Sequence, residues 1–399
     1  MKKSEKLALD GGPPVRRELL PYGRQSLREE DIEAVVEVLR SSWLTTGPKV
    51  DEFEASLRNV TKAKEAVVLA NGTAALHAMI AALELGPEDE VIVPTISFAA
   101  TANCAVYQGA KPVFADVCPK TLLLTTEYVA PLITKRTKAV IAVDYGGQPC
   151  DYPALKKFLA PKGITLLSDA CHSIGGSWQE RPVGTLAKMS AFSFHPVKHI
   201  ATGEGGAVTT NDTELAQKLR IFRNHGITTD HRQRASTGSW FYEMVSLGYN
   251  YRLSDIHCAL GVTQLERLEG IVKKRQELAK RYDRAFAKLS QVTPLQCNKE
   301  ATHAYHLYVV LVDIDSLTVD KNKLFSALRA EGIGVNVHYV PIHLHPFYRE
   351  KFGTKVGMCP NAELAYEKMF TLPLFHSMKD SDVDDVVQAF VKILRAYSK

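Results

Sequence analysis

The chain has 399 residues, with 49 Lys and Arg against 44 Asp and Glu, which gives a formal net charge of +5. This length suits one large and one smaller domain, each able to bury its own core. Hydrophobic residues make up 45% and charged residues 23%, which is typical of a globular protein and excludes an extensively disordered chain. The charges are mixed along the sequence, which argues against a nucleic-acid binder but suits anionic small ligands.

The cysteines and the apolar segments indicate the cellular compartment of the protein. Seven cysteines form no Cys-x-x-Cys pair, which is typical of reduced cysteines in a cytoplasmic protein. The first residues, MKKSEKLALDGGPP, lack the apolar segment of a signal peptide. The longest apolar stretch, 66–86, is interrupted by Asn71, His77 and Glu84, so it predicts a strand, a turn and a helix rather than a membrane span. We therefore expect a cytoplasmic protein without a membrane anchor.

The chain begins with an arm and two helices. Residues 1–24 contain few periodic apolar positions and several Gly and Pro residues, which predicts an extended arm. Residues 27–42 show the spacing of an amphipathic helix. The apolar positions that share its face are Ile32, Val35, Val36 and Leu39. A loop is expected over 43–50, followed by a second helix over 50–60.

Between about 65 and 210, short β-branched runs alternate with helical stretches. The predicted strands are EAVVLA, EVIVP, PVFAD, AVIAVD, ITLLSD, SAFSF and GGAVTT. The predicted helices are TAALHAMIAALEL, FAATANCAVYQ, TEYVAPLIT and YPALKKFLA. Alternation of helices with continuously apolar strands predicts an α/β fold, with a mostly parallel seven-stranded sheet between helices.

The remaining sequence predicts a smaller α+β domain. A long helical tract covers 253–290 with a break near Glu269–Gly270. It is followed by HLYVVLVDID, KNKLFSALRAEG and IGVNVHYV, and then by two further helices. We therefore divide the chain into an N-terminal arm, 1–24, a large domain, 25–268, and a small C-terminal domain, 269–399.

Three polar residues follow the ends of predicted parallel strands. Asp169 ends one apolar strand, and Ser193 and Lys198 follow the end of another, 24 and 29 residues later. Ligands of parallel α/β sheets bind at this edge, so a carboxylate, a hydroxyl and an amine could meet in one crevice. Burial would lower the pKa of such a lysine and make its amine a nucleophile for Schiff-base formation. Spacing alone equally allows Asp169 to cap a turn and Lys198 to be a solvated surface lysine.

The segment Asn71-Gly72-Thr73 lies between a predicted strand and a predicted helix. The free N–H groups at a helix N-terminus bind anions, and Gly72 would let the backbone approach a phosphate closely. An ordinary N-cap and turn is the alternative. The segment matches neither GxxxxGKS/T nor GxGxxG, which removes the usual support for ATP or a dinucleotide.

Seven motifs together resemble a known family. They are NGTAAL, PTISFAATANCAV, SDACHSIGG, SFHPVKHIATGEGGAV, FRNHGI, GYNYRLSDIHCALG and HYVPIHLHPFY. Their order, between about residues 9 and 395, resembles the DegT/StrS-type sugar aminotransferases. The resemblance implies the fold of aspartate aminotransferase, known as fold type I, and pyridoxal 5'-phosphate as cofactor, with pyridoxamine 5'-phosphate as its intermediate form.

The resemblance assigns four residues to the cofactor ring. Lys198 matches the lysine that forms a Schiff base with the cofactor, and Asp169 matches the carboxylate on the pyridine nitrogen. His172 matches a residue beside the phenolic oxygen, and Phe98 matches the aromatic side chain that stacks on the ring. The alternatives are a core position for Phe98 and a structural hydrogen bond for His172.

The same resemblance assigns phosphate contacts and a second subunit. Gly72, Thr73 and Ser193 match residues that bind the cofactor phosphate within one chain. Asn250 matches a phosphate ligand from the neighbouring subunit, which implies a homodimer with shared active sites.

Three further positions match the sugar-nucleotide end of the site: Thr46, Tyr339 and His343. His343 could instead be an ordinary loop histidine. The neighbouring His338 and His345 raise the possibility of a metal site, but the family pattern explains these histidines and we expect no metal.

The implied reaction is a transamination from L-glutamate to a nucleotide-linked keto sugar. Within the family, the motifs SFHPVKHIATGEGGAV, VDYGGQP, RPVG and HYVPI resemble the C4 transaminases of pseudaminic acid synthesis, which use a UDP-linked 4-keto-6-deoxy sugar. Some members of that subgroup lack the N-terminal arm LALDGGPPVRREL. Perosamine-type and other 4-amino or 3-amino sugar transaminases stay open. A dehydratase on this fold replaces the lysine, so Lys198 argues against it, and intact Asp169 and Ser193 argue against a non-catalytic regulator.

Overall fold

A computed structural model describes residues 6–399 of the chain. The strands are β1 (Glu65–Leu69), β2 (Glu90–Pro94), β3 (Lys111–Ala115), β4 (Thr137–Val143), β5 (Thr165–Asp169), β6 (Ser177–Trp178), β7 (Arg181–Pro182), β8 (Met189–Ser193), β9 (Gly206–Thr210), β10 (Val292–Pro294), β11 (Ala301–Thr302), β12 (Tyr308–Val312) and β13 (Met369–Leu372). The helices are α1 (Glu29–Arg40), α2 (Pro48–Thr61), α3 (Gly72–Ala82), α4 (Ala100–Tyr107), α5 (Thr126–Val129), α6 (Tyr152–Leu159), α7 (Thr213–Arg223), α8 (His231–Thr237), α9 (Asp255–Glu266), α10 (Leu268–Phe286), α11 (Lys321–Ala330), α12 (Pro346–Phe352), α13 (Pro360–Lys368) and α14 (Asp380–Tyr397).

The centre of the fold is a seven-stranded sheet in the order β1-β9-β8-β5-β4-β2-β3. Strands β8, β5, β4, β2 and β3 run parallel, and β9 is antiparallel to both of its neighbours. The register pairs Val143 with Asp169 and Asp169 with Ala191, so β4, β5 and β8 end at the same edge. The sequence prediction of a mostly parallel sheet in an α/β fold is confirmed.

The apolar sequence of the strands explains why the sheet is covered. All five residues of β2 and of β9 are buried, which is expected of strands with helices on both faces. Helix α3 is buried around most of its circumference and packs on α4, α7 and β8. It begins where Asn71 accepts a hydrogen bond from the backbone N–H of Ala74 at 2.8 Å. This cap fixes the N-terminus of α3 at the strand edge just described.

A second hydrophobic core lies around the antiparallel sheet β10-β12-β13. Helices α10, α11 and α14 pack there, and the arm adds Leu7 and Leu20. Glu331 holds the arm because its carboxylate accepts hydrogen bonds from the backbone N–H groups of Ala8 and Val15. The helical tract breaks at Arg267, earlier than predicted, and β13 was not predicted. The domain boundaries at 24/25 and 268/269 stay predictions.

Helix α1 exposes much of its predicted apolar face. Ile32 and Leu39 are about half exposed, whereas Asp31 and Val38 are buried. Asp31 accepts hydrogen bonds from Gln264 and Arg267, both at 2.7 Å, and this polar network fixes α1 against α9 and its C-terminal end. A buried ion pair thus decides which face of the helix turns inward in the single chain.

Within residues 6–399, no helix is both long and apolar enough to cross a membrane.

Candidate active site

A cleft of about 420 Å³ opens at the edge where β5 and β8 end and α3 begins. Most of the side chains that the sequence assigned to a site line this cleft. They are Gly72, Thr73, Phe98, Asp169, His172, Ser193, Lys198 and Tyr339. The parallel sheet brings them together because its strands deliver their C-terminal residues to one edge.

Asp169 is a buried carboxylate held by two donors. The Thr101 hydroxyl donates to its Oδ2 at 2.7 Å, and the backbone N–H of Cys171 donates to its Oδ1 at 3.2 Å. Thr101 is in turn 2.6 Å from the Ser97 hydroxyl. The carboxylate is therefore fixed in orientation, as a group that pairs with a protonated ring nitrogen must be.

Lys198 lies in the loop after β8, half-buried in the cleft. Desolvation lowers the pKa of its amine, and the nearby positive charge of Arg275 lowers it further. Cys171 and Asp169 act in the opposite direction. The loss of solvent is the largest of these effects, so the amine is neutral at lower pH than an ordinary lysine and is suited to nucleophilic and base chemistry.

His172 and Tyr339 form one wall of the cleft. The Tyr339 hydroxyl is 3.1 Å from His172 Nε2, and the two rings are nearly parallel at 6.2 Å. Burial lowers the pKa of His172 well below its usual value, so the ring is neutral. Its Nδ1 is buried and has no hydrogen-bond partner among the described residues. Such an atom commonly meets a ligand.

The N-terminus of α3 approaches β8 very closely. A Cβ atom on Gly72 would lie 2.8 Å from Cβ of Ser193 and 3.4 Å from Sγ of Cys171, so only glycine fits here. Thr73 and Ser193 both line the cleft beside this N-terminus. Two hydroxyls, the first N–H groups of a helix and the positive end of its dipole form a suitable phosphate site.

These features fit pyridoxal phosphate. The Phe98 ring is 61% exposed, although the segment around it is buried, and it lies 6.0 Å from the Tyr339 ring. An exposed aromatic face, a fixed carboxylate, an amine and a phosphate site are the groups that a phosphorylated pyridine aldehyde requires. The unpartnered Nδ1 of His172 adds a polar atom for the ring substituents.

Three predicted site residues lie outside the cleft. Asn250 is exposed and follows a loop that pairs with residues 222–225. Thr46 lines a separate cleft of about 320 Å³ together with Arg234 and Arg252.

His343 is a correction to the sequence interpretation. Its ring is fully buried, Nδ1 is 2.6 Å from the Thr95 hydroxyl, and Nε2 is 2.9 Å from the Glu363 carboxylate. Both ring nitrogens are therefore occupied within the fold, and neither reaches the cleft. We assign His343 a structural role and remove it from the proposed substrate contacts.

Among residues 6–399, no group of three or more His, Cys, Asp or Glu side chains is arranged to hold a metal ion.

The cleft also contains residues that the sequence analysis did not assign. They are Tyr22, Asn71, Ser97, Cys171, His195, Glu204, His306 and His338, with several apolar residues. Tyr22 comes from the arm and His306 from the segment before β12, both remote in sequence from Lys198. The local signal for His306 is only its place in the sequence His-Leu-Tyr at the start of a predicted strand.

Comparisons with known proteins agree with this site. A model of the DegT/DnrJ/EryC1/StrS aminotransferase family matches residues 25–391. The spore coat polysaccharide biosynthesis protein SpsC of Bacillus subtilis is 40% identical over 382 residues, or 95% of this chain and 98% of SpsC. PseC of Helicobacter pylori, an aminotransferase involved in the biosynthesis of pseudoaminic acid, is 33% identical with a TM-score of 0.89, over 95% of this chain and 100% of PseC.

Spr1654 of Streptococcus pneumoniae, assigned as a sugar aminotransferase, has been solved in PMP and PLP forms. The PMP form has a TM-score of 0.89 at 32% identity and covers 94% of this chain and 99% of its own. The PLP form has a TM-score of 0.88 at 31% identity, over 95% and 99% of the two chains. The match over nearly the whole length and the geometry of the cleft lead to one conclusion: this chain belongs to the DegT/DnrJ/EryC1/StrS family and is a pyridoxal-phosphate-dependent sugar aminotransferase.

Proposed function

We propose that this aminotransferase transfers an amino group from L-glutamate to the C4 ketone of a UDP-linked 4-keto-6-deoxy sugar, as a step of pseudaminic acid synthesis. The observation that carries the chemistry is the meeting of Lys198, Asp169, Ser193 and Gly72 in one cleft. The similarity to PseC over the full length supports the sugar. The higher identity to SpsC supports a second candidate, another amino sugar of a bacterial surface polysaccharide.

We propose that the cofactor lies between Phe98 and the end of β5, with its phosphate at the N-terminus of α3. Lys198 would hold it covalently, and a carboxylate oxygen of Asp169 would accept a hydrogen bond from the protonated ring nitrogen. Gly72, Thr73 and Ser193 would bind the phosphate, and His172 would face the ring substituents. Bound pyridoxal phosphate supplies an electrophilic carbon and a ring that takes up negative charge.

The protein's own residues then move protons. When it is not covalently bound, the amine of Lys198 would take the proton from Cα of glutamate, and burial favours this role because it lowers the pKa of the amine. In the second half of the reaction the same amine returns a proton to C4 of the sugar. The side chain of Asp169 would stabilise a proton on the ring nitrogen, and the hydrogen bonds from Thr101 and Cys171 hold this side chain in place.

We further propose a homodimer that shares its active sites. Large exposed apolar side chains are concentrated in two segments, and such surfaces usually mark an interface. They are Ile32, Leu39, Trp43 and Leu44, and Trp240, Phe241, Tyr242, Met244, Val245, Leu247 and Tyr249. Asn250 follows the second segment and is exposed in the single chain. In a dimer it could reach the cofactor phosphate of the partner.

The nucleotide end of the substrate would lie towards Thr46 and Tyr339. Tyr339 lines the cofactor cleft, and Thr46 lines the separate cleft with Arg234 and Arg252, two cations that suit the diphosphate of a nucleotide. All seven cysteines are free, which agrees with a reducing compartment. We therefore place the reaction in the cytoplasm.

A panel of nucleotide-linked 4-keto and 3-keto sugars tests the proposal. Each sugar is incubated with L-glutamate and the holoenzyme, and amination is scored by mass spectrometry, with Lys198→Ala as the inactive control. Amination of the UDP-linked 4-keto-6-deoxy N-acetyl sugar is expected. Turnover confined to a GDP- or dTDP-linked sugar, or to a 3-keto sugar, would contradict the assignment. Borohydride reduction followed by peptide mapping should place the cofactor on Lys198, and attachment to another lysine would remove Lys198 from the mechanism.

A further inference from the structure

Among residues 6–399, the amine of Lys198 has one side-chain hydrogen-bond partner, and it is a histidine outside the seven family motifs. Its Nζ lies 3.4 Å from Nε2 of His306. His306 is buried and comes two residues before β12. Its ring is 4.4 Å from the ring of His172 and 5.9 Å from that of His199. The amine that must move protons is therefore held against a cluster of imidazoles.

A buried arginine fixes the backbone of His306. Nη1 of Arg275 donates to the carbonyl oxygens of Tyr305, His306 and Leu374 at 3.1, 3.2 and 2.9 Å. Arg275 is 1% exposed, and these three carbonyls belong to two separate segments. His199 adds a contact, with Nε2 2.8 Å from the carbonyl oxygen of Ala304. The position of the His306 backbone thus follows from the packing of α10.

The electrostatics make this ring an acceptor. Burial lowers the pKa of His306 well below its usual value, and the charges of Lys198 and Arg275 lower it further. Burial also keeps His172 and His199 neutral. A neutral imidazole has one nitrogen with a free lone pair. When that atom is Nε2, it accepts an N–H of the lysine amine and leaves the lone pair of the amine available.

We propose that His306 is a positioning residue that accepts a hydrogen bond from the Lys198 amine whenever that amine is not covalently bound, and so aims its lone pair into the cleft. This inference rests on the proposed role of Lys198 as the cofactor lysine. The amine would be released from its covalent bond in the first half-reaction and would re-form that bond only at the end of the second, and in between it must stay within reach of the carbon from which it takes a proton. A four-carbon side chain without a partner would sample many rotamers at that stage.

The hydrogen bond should be visible in the titration of Lys198. The groups that face the amine are Asp169 and Cys171 from the end of β5, Arg275 from α10, and the rings of His172, His199, His306 and His338. An acceptor stabilises an ammonium group more than a neutral amine. Removal of the acceptor therefore lowers the pKa of Lys198, while the field of the other groups is unchanged.

The test uses the apoprotein, so it does not depend on the sugar. Trace acylation of Lys198 is measured against pH by peptide mass spectrometry for the wild type, His306→Leu and His306→Gln. The Leu variant should lower the midpoint by about one pH unit, since a hydrogen bond to a charged group is lost. The Gln variant retains an acceptor oxygen and should recover most of that shift. In the holoenzyme, the half-reaction with glutamate should slow at least about tenfold in the Leu variant with unchanged glutamate affinity.

His376→Leu is the matched control. His376 is a partly buried histidine whose Nδ1, like that of His306, has no hydrogen-bond partner among residues 6–399; it lies in the field of Arg275 but does not line the cleft. The His376→Leu variant should leave the midpoint of the Lys198 acylation profile unchanged. The proposal would be overturned if the acylation midpoint of Lys198 were unchanged in His306→Leu, or if His376→Leu shifted it equally. The proposed function would stand in that case if borohydride reduction still placed the cofactor on Lys198. Mapping to another lysine would instead overturn the proposed function.

A second measurement needs no substitution at His306. In apoprotein with ¹⁵N-labelled imidazoles, Lys198→Met should change the chemical shift of Nε2 of His306, whereas His199 Nε2, bonded to a carbonyl, should shift little. The absence of any change at His306 would show that the amine is not its partner.

Discussion

Asp169→Asn separates the charge of the site from its shape. The asparagine amide can keep both contacts, since its oxygen accepts from the N–H of Cys171 and its nitrogen donates to Oγ1 of Thr101. Thr101 can then donate to the Ser97 hydroxyl, because either atom of that 2.6 Å pair can be the donor. The fold should therefore tolerate the change, and the loss should fall on the chemistry.

The expected loss follows from the burial of the carboxylate. A hydrogen bond to a charged group contributes about 1.5–3 kcal/mol, and the buried position of Asp169 favours the upper part of that range. We expect the half-reaction with glutamate to slow at least about 100-fold, or about 2.7 kcal/mol. Thr101→Val leaves the charge and removes only one donor, so it should cost about tenfold or less.

The assay is a single-turnover reaction with L-glutamate, followed by the change in cofactor absorbance, with unfolding curves for each variant. Asp144→Asn is the matched control, because Asp144 is a fully buried carboxylate at the end of the neighbouring strand β4 but does not line the cleft. It should retain activity within about threefold. The reasoning would be refuted if Asp169→Asn stayed within the same range, or if both variants lost activity equally.

Three further predictions test the dimer, the buried carboxylate and the corrected histidine. A mixture of the inactive variants Lys198→Ala and Asn250→Asp should recover about a quarter of wild-type activity by random pairing of subunits. If no activity returns although subunit exchange is proven, each chain has a complete site. Burial raises the pKa of Asp144 to about 7, so its contribution to stability falls as the pH rises from about 4 to 7, and Asp144→Asn should flatten that part of the denaturation profile. An unchanged profile would contradict this pKa. His343→Leu should lower stability by about 1–3 kcal/mol while glutamate turnover persists, because the side-chain hydrogen bonds to Thr95 and Glu363 are lost, and a selective rise in KM for the sugar would restore His343 to the site.

The sequence by itself determined the local elements and the chemistry at the strand ends. Continuous apolar runs over β2, β4 and β5 specify buried parallel strands, and such strands meet at one edge, so Asp169 and Lys198 could be paired before any coordinates. Asn71 followed by Gly72 predicted a capped helix N-terminus, because Asn is a preferred N-cap residue. These features depend on periodicity and residue type over a few positions, which a sequence displays directly.

The tertiary structure alone decided which remote side chains enter the site. His306 and Tyr22 reach the cleft through the packing of the small sheet and the arm, and no local pattern encodes that contact. His343 resembles a ligand in its motif, yet Thr95 and Glu363 occupy both of its nitrogens. The face of α1 was likewise decided by hydrogen bonds to Asp31 from residues more than 200 positions away. Long-range polar partners select among positions that the hydrophobic pattern treats as equivalent, because a buried donor or acceptor is stable only where its partner lies.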